Sequence, residues 1–251
     1  MRRRPPKTEA HPKLWGRHAV AAALANPERR VRQLWATREA AATLDVPAGL
    51  RVTFSDVADL ARFVPRDTPH QGIVAEVEPL EDVYLGELLD QAGEGEDARA
   101  TLLVLDQVTD PHNVGAILRS AAAFDALGIV TQDRHAPPES GALAKAASGA
   151  LEVVPWVRVV NLARALDEMA DAGFWRIALD GEAPATLGQA LGPPRVALVL
   201  GAEGEGLRHN TISHCDATAR LPIGNRMESL NVSNAAAVAL YAAATQGGDK
   251  P

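Results

Sequence analysis

From residue 100 onward, short apolar runs alternate with amphipathic stretches rich in alanine and leucine. The runs at 102–105 and 196–200 contain no polar residue, which is typical of strands buried on both faces. The pattern predicts strands at 101–108, 128–132, 152–159, 174–180, 195–201 and 218–223, and helices at 113–126, 143–148, 161–172, 205–213 and 230–244. Strands that alternate with helices indicate an α/β fold with a parallel sheet covered on both faces.

The pattern before residue 80 predicts a smaller α/β/α unit. We expect helices at 14–24, opened near Gly16, and at 55–63, and strands at 31–37, 51–54 and 72–77. An acidic, glycine-rich stretch at 90–97 is typical of a linker. The sequence therefore predicts a disordered basic tail at 1–10, a first domain at 11–79, a linker at 80–99 and a second domain at 100–248.

Composition limits the class of protein. With 251 residues, 47% of them apolar, the chain is long enough to bury a sizeable core. A single cysteine, Cys215, excludes an intramolecular disulfide framework and a cysteine metal cluster, and it favours the reducing cytoplasm. No apolar run approaches the roughly 20 residues of a membrane span, and no hydrophobic segment follows the basic N-terminus, so we expect neither a membrane protein nor a secretory signal.

Charge is unevenly distributed. The formal net charge of −7 is unfavourable for a nucleic-acid-binding protein, but residues 1–40 hold ten Lys or Arg against three Asp or Glu. A flexible basic arm raises affinity for RNA through phosphate contacts, without reading sequence. Alternatively, the arm is only a solubilising tail. The candidate phosphate-binding residues are Arg2, Arg3, Arg4 and Lys7.

The loop after the strand at 101–108 carries the first candidate chemistry. Asp110-Pro111 breaks the strand, and Asn113 is expected to open a helix that contains Arg119. The two side chains lie between one and two turns apart, so both can reach the cleft at the N-terminal end of the helix. An alternative is that Arg119 extends to solvent or pairs with Asp125.

Two later loops have the same construction. Residues 201–206 place three glycines around Glu203 and Glu205, without the lysine of a P-loop or the position of a Rossmann fingerprint. Residues 221–235 lead from a short strand through a polar loop with Ser229 and Asn231 into an alanine-rich helix. Uncharged side chains at a helix start either cap its free N–H groups or contact a substrate.

Together, the three loops resemble the motifs of the SpoU-type RNA ribose 2′-O-methyltransferases of the SPOUT superfamily. The resemblance implies a deep trefoil knot, S-adenosylmethionine as methyl donor, a homodimer with the C-terminal helix at its interface, and no metal. It implies a catalytic site formed by Asn113, Arg119, Glu203, Ser229 and Asn231. It also implies cofactor contacts from Gly201, Leu221, Ile223 and Leu230.

Two stretches near the N-terminus extend the resemblance. Gly16-Arg-His-Ala-Val20 and His70-Gln-Gly-Ile-Val-Ala75 resemble the small ribosomal-protein-like substrate-binding domain of SpoU enzymes that act on ribosomal RNA, with Arg17 as an RNA contact. This implies methylation of a guanosine in large-subunit rRNA. The alternatives are a tRNA ribose methyltransferase, an antibiotic-resistance rRNA methyltransferase, or a ribosome-assembly factor with an idle site. Arg119 would act either as the general base or as a cation that stabilises the developing alkoxide.

Overall fold

A computed structural model of the chain describes residues 11–93, 95, 98–224 and 226–246. Its first part is a four-stranded mixed sheet in the order β1-β4-β2-β3, in which β4 runs antiparallel to β1 and β2, and β2 runs parallel to β3. We call this the N-terminal sheet. Its strands are β1 (Lys13–Trp15), β2 (Val31–Ala36), β3 (Val52–Phe54) and β4 (Ile73–Val77). Its helices are α1 (Arg17–Ala25), α2 (Arg38–Ala41) and α3 (Val57–Leu60), and a 3₁₀ turn at Ala61–Phe63 follows α3.

The predicted helix at 14–24 is wrong at its first residues. Lys13–Trp15 form an edge strand that pairs with β4, and α1 begins only at Arg17. Gly16 separates the two elements with a φ of 89°. This left-handed region is open to glycine at little cost, so the chain can turn sharply there from strand to helix.

The second part is a six-stranded sheet in the order β10-β8-β9-β5-β6-β7, in which every pair is parallel. We call this the C-terminal sheet. Its strands are β5 (Ala100–Asp106), β6 (Gly128–Gln132), β7 (Trp156–Val159), β8 (Trp175–Leu179), β9 (Arg195–Gly201) and β10 (Ala217–Ala219). The helices are α4 (Leu85–Asp90), α5 (Pro111–Ala123), α6 (Gly141–Ala147), α7 (Leu162–Asp171), α8 (Leu187–Ala190), α9 (His209–Ile212) and α10 (Val232–Thr245), with a 3₁₀ turn at Ala150–Glu152.

Apolar side chains fill both faces of the C-terminal sheet, as the uninterrupted runs predict. Leu103 and Leu105 of β5 belong to a core shared with α5, α6 and α10, whereas Leu102 and Val104 belong to a core shared with α4 and α7. Several expected bounds differ from the structure. The helix expected at 113–126 begins at Pro111 with Asp110 as its N-cap, and the strand expected at 218–223 ends at Ala219. The strand expected at 152–159 begins at Trp156, and the helix expected at 205–213 covers only His209–Ile212. The predicted linker at 80–99 contains α4.

The two sheets are held together by a buried contact around Arg29, whose side chain has no exposed surface. Its Nη1 atom lies 2.5 Å from Glu139 Oε1, and its Nη2 atom lies 2.8 Å from Glu152 Oε1. Burial raises the pKa of the Glu139 carboxyl above its ordinary value, although the charge of Arg29 opposes that shift. Nearby, the ring of Trp15 lies against Gly141 and leaves no room for a side chain there. The N-terminal sheet is therefore fixed to the C-terminal sheet.

Of the helices in the described ranges, none combines the length and the apolar composition that a bilayer crossing requires.

Candidate functional site

A cleft of about 620 Å³ opens at the carboxyl ends of β8 and β9 in the C-terminal sheet. This edge is where α/β proteins bind ligands, since their connecting loops converge there. The loop after β10 closes the other side. All four cofactor-contact residues expected from the sequence line the cleft, namely Gly201, Leu221, Ile223 and Leu230.

Apolar side chains are left exposed around this cleft. Ile223 is 39% exposed, Leu230 37% and Met227 68%, and all three are lining residues. A soluble protein gains little from grouping such side chains at its surface unless a ligand covers them. The cleft is thus suited to a partly apolar ligand.

Gly201 shapes one wall of the cleft. A Cβ atom at this position would collide with the backbone of Gly206 and Leu207, because the loop folds back onto the end of β9. A backbone bridge between Ala202 and Gly206 closes that loop. Glycine is therefore required at 201 for the loop to present Glu203 at the mouth of the cleft.

Three residues from the three motif loops meet in one hydrogen-bonded cluster, Asn113, Glu203 and Asn231, which we call the amide-carboxylate cluster. Asn113 Nδ2 donates to Glu203 Oε1 at 3.2 Å, and Asn231 Nδ2 donates to Asn113 Oδ1 at 3.0 Å. Asn231 Nδ2 also donates to Glu203 Oε1. These residues are 28 to 118 positions apart in sequence, so only the fold unites them.

Asn231 serves two roles at once. Its Oδ1 atom caps α10 by accepting from the backbone N–H groups of Ser233 at 3.0 Å and Asn234 at 3.4 Å. Its Nδ2 atom faces the cluster instead. Of the two alternatives that the sequence left open, capping is observed, whereas contact with a substrate stays a prediction. The cap fixes the amide plane and thereby aims Nδ2.

The two remaining expected catalytic residues lie outside the cluster. Ser229 is exposed and lines the cleft. Arg119 is an exposed residue of α5, and it forms no hydrogen bond or ion pair with any residue that the structure describes. It also does not line the cleft. A cation with no partner among the described residues is available to bind an external anion.

A buried network beneath the cluster was missed by the sequence reasoning. Asp106, which has no exposed surface, receives Arg208 Nε at 2.8 Å and Thr211 Oγ1 at 2.6 Å. Arg208 also donates to Gln132 Oε1 at 3.0 Å. The sequence feature that could have indicated this network is the carboxylate of Asp106, at the end of the otherwise apolar run of β5. The network fixes the chain that follows the Glu203 loop to β5 and β6.

The expected RNA contacts are only partly described. Arg2, Arg3, Arg4 and Lys7 lie outside the described residues. Arg17 is exposed at the first position of α1, and its backbone N–H donates to Gln71 Oε1 at 2.9 Å. Across the described part of the chain, no three His, Cys, Asp or Glu residues are grouped as metal ligands would be.

Comparison with known proteins adds the family. Residues 100–241 match the model of the SpoU rRNA Methylase family, and residues 13–83 match the model for RNA 2′-O ribose methyltransferase substrate binding. The chain is 39% identical to the 23S rRNA (guanosine-2′-O-)-methyltransferase RlmB of Pseudomonas aeruginosa, over 91% of this chain and 94% of that protein.

Two further proteins extend the comparison. A Synechocystis protein named as an uncharacterized tRNA/rRNA methyltransferase is 38% identical over 97% of this chain, which spans only 65% of that longer protein. The SpoU methyltransferase AviRb from Streptomyces viridochromogenes, solved with AdoMet, has the same fold, with a TM-score of 0.75 at 24% identity over 94% of this chain and 91% of that one. The extent of the first family match and the identity to RlmB show that this chain belongs to the SpoU rRNA methylase family.

Proposed function

We propose that the protein transfers a methyl group from S-adenosylmethionine to the ribose 2′-hydroxyl of a guanosine in large-subunit (23S) rRNA. The amide-carboxylate cluster carries the proposal. It sits at the mouth of the cleft because Glu203 belongs to both, so hydrogen-bonding groups suited to a ribose lie beside a pocket suited to a cofactor. The relatives named as rRNA guanosine methyltransferases support the same substrate.

The cleft fits S-adenosylmethionine by size and by chemistry. A volume of about 620 Å³ lies within the range of small-molecule pockets. The apolar side chains of Leu221, Ile223 and Leu230 suit an adenine ring, and the backbone at Gly201 can approach a ligand closely. Carboxylates of Asp180 and Glu228 in the lining suit a cationic ligand. When bound, the cofactor supplies an already activated methyl group.

The residues of the chain then have to align the ribose and support loss of its proton. Asn113 and Asn231 orient the ribose, and Glu203 and Ser229 fix the geometry of the loops. Arg119 stays a cation and stabilises the alkoxide that develops on the 2′-oxygen, because a guanidinium is effectively always protonated in proteins. Its exposure and its lack of any partner within the described residues leave it free for that contact.

The finer architecture is also part of the proposal. We assign residues 11–79 to RNA binding, 80–99 to a linker, and 100–248 to a SPOUT domain with a deep trefoil knot. The knot is supported by the path of the chain, which leaves the edge strand β10 and returns across the sheet to pack α10 on α5 and β9. Val238 and Tyr241 of α10 are 46% and 58% exposed, which supports a homodimer formed through this helix. The proposed ribosomal RNA substrate supports a cytoplasmic location.

Labelled methyl transfer from S-adenosylmethionine tests the reaction. The full-length protein is incubated with ribosomal RNA or tRNA, and the modified ribose is mapped. We expect one guanosine in 23S rRNA, and a substrate carrying 2′-deoxyguanosine there should bind yet accept no methyl. Methylation of the deoxy substrate would show that a base is modified, and exclusive labelling of tRNA would refute the rRNA target.

A further inference from the structure

A second groove, of about 830 Å³, lies on the N-terminal sheet and shares no lining residue with the cofactor cleft. It is bounded by the turn before α1, by α2 and by the turn that precedes β4. We call it the histidine groove, and its polar lining consists of Arg17, Thr37, Glu39, Thr43, Thr68, His70 and Gln71.

His70 presents to the groove a hydrogen-bond donor that has no partner among the described residues. The residue is only 6% exposed, and its Nδ1 atom accepts from the backbone N–H of Gly72 at 3.2 Å, so the ring proton sits on Nε2. Nε2 has no hydrogen-bond partner in the described part of the chain. It is not sealed in the interior either, since the described residues hold a single sealed and unpartnered side-chain polar atom, Trp15 Nε1. Nε2 is therefore accessible from the groove, where it can donate a hydrogen bond to a ligand.

The floor of the groove is held in a strained conformation. Gln71 adopts a φ of 58°, which side-chain-bearing residues seldom adopt. Its Oε1 atom accepts from the backbone N–H of Arg17 at 2.9 Å and joins the two turns. Such strain persists where the surrounding structure fixes it, and it is concentrated at binding sites.

Two cations stand at this groove without a carboxylate partner among the described residues. The side chain of Arg17 is exposed, and Lys145 of α6 reaches across from the C-terminal sheet to bond Pro69 O at 2.5 Å. In a chain of net charge −7, one exposed cation in the lining and a second bonded to the lining residue Pro69 favour an anionic ligand. Glu39 adds a carboxylate that can accept from the amino or imino groups of a base.

We propose that the histidine groove binds one unpaired nucleotide of the RNA substrate, separate from the nucleotide that is methylated. Arg17 and Lys145 contact its phosphate, and His70 Nε2 donates to its base or ribose. Single-stranded RNA suits the groove because only unstacked nucleotides present their base edges to a protein pocket. The proposal rests on the proposed function for the identity of the RNA.

The test uses the full-length protein with two variants and one matched control. His70→Asn keeps an acceptor for the Gly72 N–H but removes the Nε2 donor, and Arg17→Ala removes one cation. Arg51→Ala removes the same charge from an exposed arginine outside the groove. We expect each groove variant to weaken rRNA binding by about tenfold and to change KM more than kcat. The control should change the affinity for rRNA by less than about twofold. S-adenosylmethionine affinity and thermal melting should match the wild type.

Salt dependence separates the two contacts. Arg17→Ala should lower the slope of log Kd against log salt by about one, since it removes one phosphate contact, and His70→Asn should leave the slope unchanged. If all four proteins bind RNA with equal affinity, the proposal that the groove binds RNA is refuted. Methylation by the wild type would still support the proposed function in that case. If Arg51→Ala weakens RNA binding as much as the groove variants do, the proposal is also refuted, because general electrostatic attraction would then explain the effect. A wild-type protein that binds rRNA but methylates nothing would instead refute the proposed function.

Discussion

Replacing Glu203 with alanine tests whether the amide-carboxylate cluster positions the ribose. Glu203 Oε1 receives the side-chain amides of Asn113 and Asn231 and also the backbone N–H of Val232, at 3.3 Å. The substitution leaves three donors without that acceptor. Because Glu203 is an exposed residue, water can replace it, so we expect the free energy of unfolding to change by about 1 kcal/mol or less.

The expected effect on rate is larger than the effect on stability. Once released, the Asn113 amide can move by about 1 Å, whereas the cap of α10 still holds Asn231. Misplacement on that scale costs up to about a hundredfold in rate. We therefore expect kcat to fall by about tenfold to a hundredfold, which corresponds to about 1.4 to 2.7 kcal/mol in the barrier. Glu203→Gln keeps an acceptor oxygen at the same place, so it should retain most of the rate.

The assay is steady-state methyl transfer at saturating RNA and cofactor, which gives kcat. Glu205→Ala is the matched control, because it removes the same charge from an exposed residue of the same loop. Wild-type kcat in Glu203→Ala would refute the positioning role. A Glu203→Gln enzyme as slow as Glu203→Ala would show that the charge itself is needed, and the hydrogen-bond argument would be wrong.

Two further variants test the cation and the contact between the sheets. Arg119→Ala should lower kcat by at least about a hundredfold, with cofactor affinity nearly unchanged. Arg119→Lys keeps the charge and should recover appreciable rate. A lysine variant as slow as the alanine variant would show instead that the guanidine acts as the base or that its planar geometry is needed. Arg29→Ala should lower the free energy of unfolding in urea by about 3 to 5 kcal/mol, since it leaves Glu139 and Glu152 buried without their cation, and an unchanged midpoint would contradict this. Because loss of Arg29 raises the pKa of Glu139 further, the folded variant binds protons more tightly than the unfolded chain, so the loss should be smaller at pH 5 than at pH 8.

The C-terminal sheet could be predicted from the sequence because its strands are buried on both faces and its turns contain strong breakers. The uninterrupted apolar run of β5 admits few other interpretations, and β9 coincides with the expected 195–201. β1 was not predicted because Leu14 and Trp15 also fit the apolar pattern of the helix that follows. Their strand conformation depends on pairing with Val74 and Ala75, about sixty residues later.

The candidate site was predictable as a set of loops but not as a set of contacts. The motifs identified Asn113, Glu203 and Asn231 as candidate site residues. Because β5 and β9 are parallel neighbours, the loops that follow them lie at the same edge of the sheet. Nothing local in the sequence indicates that a single carboxylate oxygen receives both amides. The buried ion pairs of Arg29 were likewise invisible, because Glu139 and Glu152 lie 110 and 123 positions away.

Those ion pairs also bear on how the two proposed RNA contacts act together. Swinging the N-terminal sheet away would break the bonds of Arg29 to Glu139 and Glu152 and would expose a core in which Leu14 and Val20 pack with residues of α5 and α6. Separating buried partners in this way costs several kcal/mol, so the sheets move as one body. The histidine groove and the amide-carboxylate cluster are then held at a fixed separation. With two contacts at a fixed separation, the enzyme can select its target ribose by the path of the RNA between them, without reading the base that it methylates.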